Sequence, residues 1–367
     1  MKVVILGPVV NKTSSGGVAS ITENLAAGFV ARGDETFIIS ISKSSTFDNI
    51  VIGNGRNNRK KIFFSYRKIS NELKKINPDL VISSLEYSIG IKNYKRKCPN
   101  SLFVSFLHGV PAPVKGRKIK AFFLKLIFRY CCRNFDHSSI ASYLMQSIND
   151  KLYGIKCDYV IPNGIIVDNK ESIINENERI YDLVYVGRLY HDKNVEMLCD
   201  AFLELCSINN NLRMLVCGYG EQEKLFTEGK FKNEHIDFVG KVEHKDVYKF
   251  YRKAKFFVSL CDLEGFGTVF MEAALQRCNM ISTFSQGQNY VFENKPFYHL
   301  VDISNKEALK IDLMDTLNHY SPMTDEDYLF YKKFFSSKRM ADDYANIVNN
   351  QVRGELDVEK SNSEGNN

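Results

Sequence analysis

The stretch Phe256–Arg277 constrains the fold most strongly, because it predicts a strand, a tight turn and a helix in direct succession. It opens with Phe256–Leu260, a short and largely apolar run bounded by turn residues, as expected of a buried strand. Gly265 and Gly267 allow the backbone to bend sharply, and Thr268 is a suitable N-cap for the helix that follows. A helix that begins at such a turn presents free N–H groups and the positive end of its dipole, which together predict an anion site.

Two carboxylates flank this turn. Glu264 lies just before the first glycine, and Glu272 lies about one turn inside the helix. Carboxylates accept hydrogen bonds from sugar hydroxyls but repel phosphates, so the stretch suits a ligand that carries both groups. Glutamates at this spacing also occur at the solvated start of a helix, so the pair alone does not identify a site.

The glycine turn and the two glutamates together resemble the E-x7-E signature of retaining glycosyltransferases of family 4, which have the GT-B fold. The resemblance implies that Glu264 contacts the donor sugar and that Glu272 contacts the ribose of the nucleotide. It also implies that the turn itself binds the donor, through Gly265, Phe266, Gly267 and Thr268.

Length and composition set wider limits. A chain of 367 residues is long enough for two domains with separate cores, and 44% hydrophobic with 25% charged residues is typical of a globular protein. The nine cysteines are odd in number, scattered and without a C-x-x-C pair, which argues against a disulfide framework or a zinc site. No leader pattern precedes the first strand and no run of about 18 apolar residues occurs, so we expect a cytoplasmic protein.

The N-terminal part predicts a strand–helix–strand unit. The strand Lys2–Leu6 leads through a loop with Gly16 and Gly17 into a long helix, and the next strand is Thr36–Ser40. Such units build doubly wound parallel sheets, in which ligands bind at the carboxyl ends of the strands. The segment Gly7–Thr13 lacks the second glycine of a nucleotide P-loop, so we reject that interpretation. The resemblance implies that Gly16 and Gly17 approach the donor phosphates or the acceptor; the alternative is a turn that only starts the helix.

His108 follows the predicted strand Leu102–Leu107 and therefore lies at the ligand-binding edge of the first sheet. A histidine at a strand end is often only a hydrogen-bonded structural residue. The family has a histidine at this location, close to the reacting sugar. The resemblance therefore implies that His108 orients or polarises the donor sugar.

The second domain begins after the polar segment Asn169–Arg179, which marks a boundary near residue 168. The strand Leu183–Val186 runs into a loop with Arg188 and Lys193, two cations that suit a diphosphate as a planar fork and a point charge. Together with Gly187 they match the family's G-R-x4-K pattern for the donor pyrophosphate. A solvated turn is the alternative.

Three further matches support the same register along the chain. They are the turn Pro162–Gly164, the glycine Gly218 at the end of a strand, and the backbone at Lys241 and Val242, which in relatives meets the nucleotide base. The loop Ser285–Tyr290 departs from the family's Gly-Gly-x-x-Glu pattern because it keeps only one of the glycines. The identity of the donor sugar is therefore not predicted.

No metal or other cofactor is expected. The Asp-x-Asp motif Asp325–Asp327 resembles the start of a helix and not the end of a strand, so it does not indicate a metal site. Residues 325–355 are predicted to be helical and, by the resemblance, to return to the N-terminal domain. The polar residues 356–367 are predicted to be a disordered tail.

The segment Lys115–Arg133 predicts a helix in which aromatic and aliphatic residues alternate with lysines and arginines, without any acidic residue. It is either a core helix with a solvated basic face or an interfacial helix on an anionic membrane, where each basic residue contributes about 1 kcal/mol. Nucleic acid would also suit the charge. No nucleic-acid-binding module is recognisable, so we do not expect that partner.

We therefore predict an α/β protein of GT-B fold, with two Rossmann-like doubly wound domains facing across a cleft. Residues 1–168 would bind the acceptor and residues 169–324 the nucleotide sugar. The expected reaction is hexosyl transfer with retention, by front-face displacement, from a nucleotide-diphosphate sugar, preferably UDP-linked. The expected acceptor is a lipid-linked oligosaccharide of O-antigen or capsule synthesis at the inner face of a bacterial membrane. The alternatives are a nucleotide-sugar 2-epimerase of the same fold and a non-catalytic protein that binds sugar nucleotides or a lipid surface.

Overall fold

The computed structural model describes residues 1–11, 16–52, 62–111, 118–167 and 176–364. They form two compact units, one of Met1–Ile166 with Phe335–Asn367 and one of Val167–Phe334. The chain thus leaves the first unit after Ile166 and returns to it at Phe335. The predicted return at residue 325 is wrong, because the helix that begins there belongs to the second unit.

The first unit contains a seven-stranded parallel sheet with the strand order β3-β2-β1-β4-β5-β6-β7. The central strands β4 and β5 are buried at every position. Parallel sheets carry such continuous apolar runs because helices cover both faces. The strands are β1 Lys2–Leu6, β2 Glu35–Ser40, β3 Ile50–Val51, β4 Leu80–Ser84, β5 Leu102–Leu107, β6 His137–Ile140 and β7 Tyr159–Val160.

The second unit contains a six-stranded parallel sheet with the order β10-β9-β8-β11-β12-β13. In both sheets the chain first winds outward in one direction, returns to the centre and then winds in the other. This doubly wound order is that of a Rossmann-like fold. The strands are β8 Tyr181–Arg188, β9 Met214–Tyr219, β10 Ile236–Gly240, β11 Ala254–Ser259, β12 Asn279–Ser282 and β13 Tyr298–Leu300.

Helices connect the strands in both units. Those of the first unit are α1 Gly17–Arg32, α2 Ile62–Ile76, α3 Ile91–Lys97, α4 Lys118–Asn134, α5 Tyr143–Tyr153 and α12 Ser337–Glu364. Those of the second unit are α6 Val195–Cys206, α7 Lys224–Thr227, α8 His244–Arg252, α9 Thr268–Leu275, α10 Lys306–Asn318 and α11 Asp325–Phe334. No helix within the described ranges is long and apolar enough to cross a membrane.

The C-terminal helix predicted over 325–355 is broken at Phe335 and Ser336. Ile165 donates its N–H to the carbonyl of Phe335 and accepts from the N–H of Ser337, both at 2.8 Å. These bonds use backbone groups that an uninterrupted helix would need for itself. Arg339 in α12 then donates to the carbonyls of Pro162 at 2.8 Å and Asn163 at 3.1 Å, so the predicted turn at 162–164 holds the returning helix.

The predicted disordered tail is also wrong over most of its length, because α12 continues to Glu364. Residues 365–367 lie outside the described part of the chain. The segment 356–364 contains neither proline nor glycine. Extending an existing helix costs far less than nucleating one, and the packing of α12 on the first unit supplies the nucleus.

Candidate functional site

The candidate site of the second unit lies where its sheet changes winding direction. Strands β8 and β11 are neighbours at the centre of that sheet, and the connections after them leave in opposite directions. Crevices at such switch points are where open α/β sheets bind ligands. Arg188 and Lys193 belong to the end of β8 and its loop, and Glu264 belongs to the loop after β11.

Lys193 and Glu264, 71 positions apart in the sequence, are in direct contact. The Lys193 ammonium lies 2.9 Å from the Glu264 carboxylate and 3.0 Å from the Cys261 sulfur. Burial disfavours the charged ammonium, but the charge and hydrogen bonds of Glu264 and Cys261 outweigh it and raise the pKa of Lys193. Lys193 is therefore a fixed cation, and Glu264 keeps a partly exposed carboxylate that can accept a ligand hydroxyl.

Asn194 joins the two loops from the other side. Its side-chain amide donates to the Leu260 carbonyl at 2.8 Å and to the Asp262 carboxylate at 2.6 Å. The backbone of Asn194 has a φ of 51°, a left-handed conformation that asparagine tolerates better than most residues. The position of Lys193 is consequently fixed twice, by the contacts of its own ammonium and by the hydrogen bonds of the adjacent Asn194 side chain.

Two exposed cations lie at the carboxyl ends of β8 and β10, each beside a tyrosine ring. The Arg188 guanidinium is 5.2 Å from the ring centre of Tyr190, and the Lys241 ammonium is 5.0 Å from that of Tyr219. Val242, next to Lys241, is half-buried. Cations combined with aromatic faces suit a ligand with both phosphate and a base.

Gly187 and Gly218 have a packing reason that is independent of any ligand. A β-carbon on Gly218 would lie 2.1 Å from the carbonyl oxygen of Gly187 on the neighbouring strand. One on Gly187 would lie 2.9 Å from the Tyr185 hydroxyl. The close approach of β8 and β9 requires glycine at Gly218, whereas Gly187 is restricted by a side chain of its own strand. The assignment of both glycines to donor binding remains a prediction.

The turn before α9 pairs with the loop after β12. Glu264 donates its N–H to the Ser285 carbonyl at 3.3 Å, and its own carbonyl accepts from the N–H of Gly287 at 2.9 Å. Within the turn, Gly265 is half-buried and Phe266 is buried. The turn is thus fixed by backbone pairing and by an apolar anchor.

Two details of α9 differ from the sequence prediction. The N-cap residue is Gly267 with extended backbone angles, and Thr268 is the first helical residue. The helix ends at Leu275 because Arg277 adopts a left-handed φ of 53°. The N–H of Gly267 points at the buried side-chain oxygen of Gln288, 3.5 Å away, so this amide is not a free donor for a phosphate.

Glu272 lies on α9 with its carboxylate half-buried and held from the interior. The hydroxyl of the fully buried Tyr251 donates to it at 3.2 Å. Burial raises the pKa of Tyr251, and the adjacent Glu272 charge raises it further, so the tyrosine stays protonated and remains a donor. This contact fixes one carboxylate oxygen of Glu272, and the partly exposed side chain can accept a further donor.

The first unit holds the other predicted residues. Nε2 of His108 lies 3.0 Å from the hydroxyl of Ser84, and its ring centre is 4.1 Å from that of Phe106. His108 is partly buried, and this burial lowers its pKa to about 3, so the imidazole is neutral at neutral pH. Gly16 is the N-cap of α1 and Gly17 its first residue, and a β-carbon on either would meet no atom within 4 Å.

Arg179 is an important residue that the sequence did not reveal. It lies at the end of a segment predicted to be a polar loop, yet its side chain is only 1% exposed. The guanidinium donates to the carbonyls of Arg277 at 2.7 Å and of Ala254. It therefore ties the start of β11 to the end of α9, the two elements on either side of the Glu264 turn.

The comparisons with known proteins agree with this architecture. The model of Glycosyltransferase Family 4 matches residues 15–169, and that of Glycosyl transferases group 1 matches residues 167–325. The crystal structure of Anabaena Alr3699/HepE in complex with UDP has a TM-score of 0.72 and 14% identity, and the match covers 95% of this chain and 100% of that one. Both units are therefore present in the order of a GT-B protein.

Two relatives are similar in sequence. The phosphatidylinositol N-acetylglucosaminyltransferase gpi3 subunit of Schizosaccharomyces pombe is 26% identical over 177 residues, which are 47% of this chain and 37% of that protein. The capsular polysaccharide biosynthesis glycosyltransferase CapM of Staphylococcus aureus is 24% identical over 174 residues, 44% of each chain. The matches span less than half the length of either relative. Because the two family models together take in both units, the chain belongs to the group 1 glycosyltransferases of family 4 and has the GT-B fold.

Proposed function

We propose that this protein transfers a hexose from a nucleotide-diphosphate sugar, UDP-linked by preference, to an acceptor hydroxyl with retention of anomeric configuration. The observation that carries the proposal is the contact between Lys193 and Glu264 at the switch point of the second sheet, with Arg188 exposed at the end of β8. A site with fixed cations beside hydroxyl acceptors suits a sugar diphosphate. The UDP bound by Anabaena Alr3699/HepE, a protein of the same fold, supports the choice of nucleotide.

The reaction breaks the bond between the anomeric carbon and the diphosphate oxygen and forms one to the acceptor oxygen. In our proposal Arg188 and Lys193 stabilise the negative charge that builds up on the leaving diphosphate. Glu264 holds Lys193 in place and accepts a hydroxyl of the donor sugar, while Glu272 accepts a ribose hydroxyl. The departing diphosphate takes the acceptor's proton on the same face of the sugar. In this proposal Arg188 and Lys193 supply the positive charge that a metal ion provides in other transferases, so the reaction needs no metal.

The neutral state of His108 fits a polarising contact with the sugar. A ring with a pKa near 3 carries no charge at neutral pH, so it does not attract the diphosphate. It can instead donate or accept one hydrogen bond with the sugar. We propose that His108 orients the donor sugar. The Ser84 hydroxyl contacts Nε2 and fixes the ring, which leaves Nδ1 for the sugar. Gly16 and Gly17 would allow a ligand to approach the start of α1.

Donor binding is tested first by thermal shift with UDP, GDP, ADP and their common sugar conjugates, followed by turnover of any hit. We expect a selective shift with a UDP-sugar and no loss of transfer when EDTA is added. Arg188→Ala and Glu264→Ala should abolish transfer with the fold intact, whereas Arg213→Ala, an exposed arginine of the same unit, should not. No shift with any nucleotide, or full activity of Arg188→Ala, would refute the proposal. Formation of an epimer without acceptor would assign the protein to the 2-epimerases instead.

The proposed acceptor is a lipid-linked saccharide of surface polysaccharide synthesis at the cytoplasmic face of a membrane. Support comes from the two relatives, one named for phosphatidylinositol and the other for capsular polysaccharide. It also comes from α4, which corresponds to the predicted basic helix apart from residues 115–117, which lie outside the described ranges. Four apolar side chains of α4 are exposed, by 75, 59, 58 and 45% respectively: Ile119, Phe122, Phe123 and Leu126.

The exposed apolar face of α4 is distinct from the face that packs in the protein. Phe128 and Cys131 on the same helix are buried in the core of the first unit. Lys125 and Arg129 are only partly exposed, and Arg133 is exposed. A helix with such an outward aromatic face and flanking cations suits the headgroup region of an anionic bilayer. We propose that α4 docks the protein there.

Flotation with liposomes tests this docking. The protein should bind vesicles that contain anionic lipid better than neutral ones, and the double change Phe122→Ser with Phe123→Ser should weaken binding about 10- to 30-fold, since two half-exposed phenylalanines contribute about 2 kcal/mol. The matched control changes Leu329 and Phe330 to serine, because these residues of α11 are similarly exposed, by 57 and 54%. Equal binding of all three proteins would remove the membrane from the proposal and leave the transferase intact.

A further inference from the structure

Two buried glutamines lie under the Glu264 turn, in the loop where the sequence departs from the family pattern. Gln286 is 2% exposed and Gln288 is 0% exposed. Nε2 of Gln286 donates to the Ser259 carbonyl at 2.9 Å, and its Oε1 accepts from Nε2 of Gln288 at 3.1 Å. Oε1 of Gln288 faces the N–H of Gly267 at 3.5 Å. The two side chains thus connect the end of β11 to the start of α9.

This chain of hydrogen bonds has only one consistent direction. The Ser259 carbonyl at one end can only accept, and the Gly267 N–H at the other end can only donate. Each glutamine must therefore turn its nitrogen towards Ser259 and its oxygen towards Gly267. Because both amides are buried, reversing either one would leave two acceptors or two donors face to face at a cost of a lost hydrogen bond.

The same loop holds Glu264 through its backbone. Ser285 and Gly287, the neighbours of Gln286, pair with the N–H and the carbonyl of Glu264. Gln286 also lies 3.4 Å from the hydroxyl of Thr283, which in turn donates to the Cys261 carbonyl at 3.0 Å. A displacement of the glutamine side chains would consequently move the residues that set the position of the Glu264 carboxylate against Lys193.

We propose that Gln286 and Gln288 form a glutamine relay that acts as a pair of positioning residues for glycosyl transfer. They touch neither substrate nor the reacting atoms; they fix the distance between the Glu264 carboxylate and the first turn of α9. The relay deepens the proposed function and rests on it. A misplacement of about 1 Å in such a site can reduce turnover about 100-fold, so a precise support of this kind affects kcat more than nucleotide affinity.

The test compares Gln288→Met, Gln288→Glu and a matched control, Gln146→Met. Methionine keeps the length of glutamine and removes both hydrogen bonds. Gln146 donates to the Cys157 carbonyl at 2.8 Å in the first unit, so its replacement removes one comparable bond away from the relay. We expect Gln288→Met to lower kcat about 10- to 100-fold with less than a threefold change in UDP affinity, and Gln146→Met to leave kcat unchanged.

Gln288→Glu gives a readout that a purely structural role would not produce. A protonated glutamic acid can donate its O–H to Gln286 and still accept from Gly267, which restores the relay, whereas a carboxylate places an oxygen against the oxygen of Gln286. Complete burial without a counter-charge raises the pKa of a carboxyl group, to about 8–9 in documented cases, so this side chain should be protonated at pH 6 and ionised at pH 9. The ratio of its kcat to that of the wild type should therefore be near one at pH 6 and fall at pH 9. The ratio for Gln288→Met should be low at both values.

Hydrogen exchange of the peptide 262–270 gives a further readout that needs no substrate, and Gln288→Met should exchange faster there than Gln146→Met. The relay is overturned if Gln288→Met has the kcat and exchange of the control, or if the pH dependence of Gln288→Glu equals that of Gln288→Met. Wild-type protein in the same assays distinguishes a failure of the relay from a failure of the proposed transferase function. Failure of the wild type to bind or use any nucleotide sugar overturns the proposed function and the relay with it.

Discussion

Replacing Arg179 tests how the second unit supports its candidate site. The buried guanidinium donates to the carbonyls of Ala254 and Arg277 and, at 3.4 Å each, to those of Tyr251 and Gln276. These carbonyls belong to the ends of α8 and α9 and to the start of β11, where a cation also opposes the negative ends of the helix dipoles. Arg179→Met keeps most of the length and removes every donor.

The expected loss follows from the carbonyls left behind. A buried acceptor without a partner costs about 1–3 kcal/mol, and two carbonyls, those of Ala254 and Arg277, lose close bonds to a charged donor. The variant also loses the ion pair of Arg179 with the partly solvated Glu176 at 3.0 Å, while relief of the buried charge offsets part of the total loss. We therefore expect the free energy of unfolding to fall by about 3–4 kcal/mol. At a urea dependence of about 2 kcal/mol per molar, the transition of this unit would move down by about 1.5–2 M.

Urea denaturation followed by far-UV circular dichroism measures this shift, because the chain contains no tryptophan for fluorescence. Arg213→Met is the matched control, since Arg213 donates to the Glu234 carbonyl at the exposed surface of the same unit and its loss should cost less than about 1 kcal/mol. Arg179→Lys, which keeps the charge, should lose about 2 kcal/mol and provides a folded variant if methionine unfolds the unit. An Arg179→Met protein as stable as the Arg213→Met protein would refute the reasoning.

Three further predictions concern the site itself. Lys193→Met, Glu264→Gln and the double variant should give a coupling of about 1–2 kcal/mol in a denaturation cycle, because the pair is only partly exposed; a coupling below about 0.3 kcal/mol would contradict a fixed ion pair. The pKa of His108 is lowered to about 3, so the unfolded chain binds the proton more readily and the free energy of unfolding falls as the pH drops from about 6.5 towards 3. The wild type should lose about 2 kcal/mol of unfolding free energy between pH 7 and 5, and His108→Asn should not show this loss. Gly218→Ala should destabilise by at least about 1–3 kcal/mol because its β-carbon would meet a backbone oxygen at 2.1 Å. Gly16→Ala has free space and should cost less than about 1 kcal/mol, the loss expected when alanine replaces glycine at an N-cap, and similar denaturation midpoints for both would contradict the packing argument.

Much of the fold could be predicted from the sequence. The strands Lys2–Leu6 and Leu102–Leu107 have the predicted bounds. Each is a largely apolar segment between turn residues, so its hydrophobic pattern and its boundaries are local signals. The short strand His137–Ile140 escaped prediction because it is mostly polar, and only its place between β5 and β7 buries it.

The candidate site divides in the same way. Short motifs next to a glycine were enough to select Arg188, Lys193 and Glu264 as candidates. The doubly wound order of the strands then brings their loops together. The sequence did not indicate that Lys193 would bind Glu264 in the unliganded protein, nor that Gln288 would take the N–H of Gly267. These contacts depend on side-chain geometry that no local pattern encodes.

The sequence alone determined the two-unit α/β architecture, the family and the residue types at the switch point, because these depend on hydrophobic periodicity and on turn chemistry over short distances. Only the tertiary structure decided that α11 stays with the second unit, that Arg179 is buried and that Gln286 and Gln288 are joined. The four carbonyls that accept from the Arg179 guanidinium lie 72 to 98 positions away in the chain. A polar side chain becomes buried when distant carbonyls converge on it, and that convergence exists only after the sheet and its helices have packed.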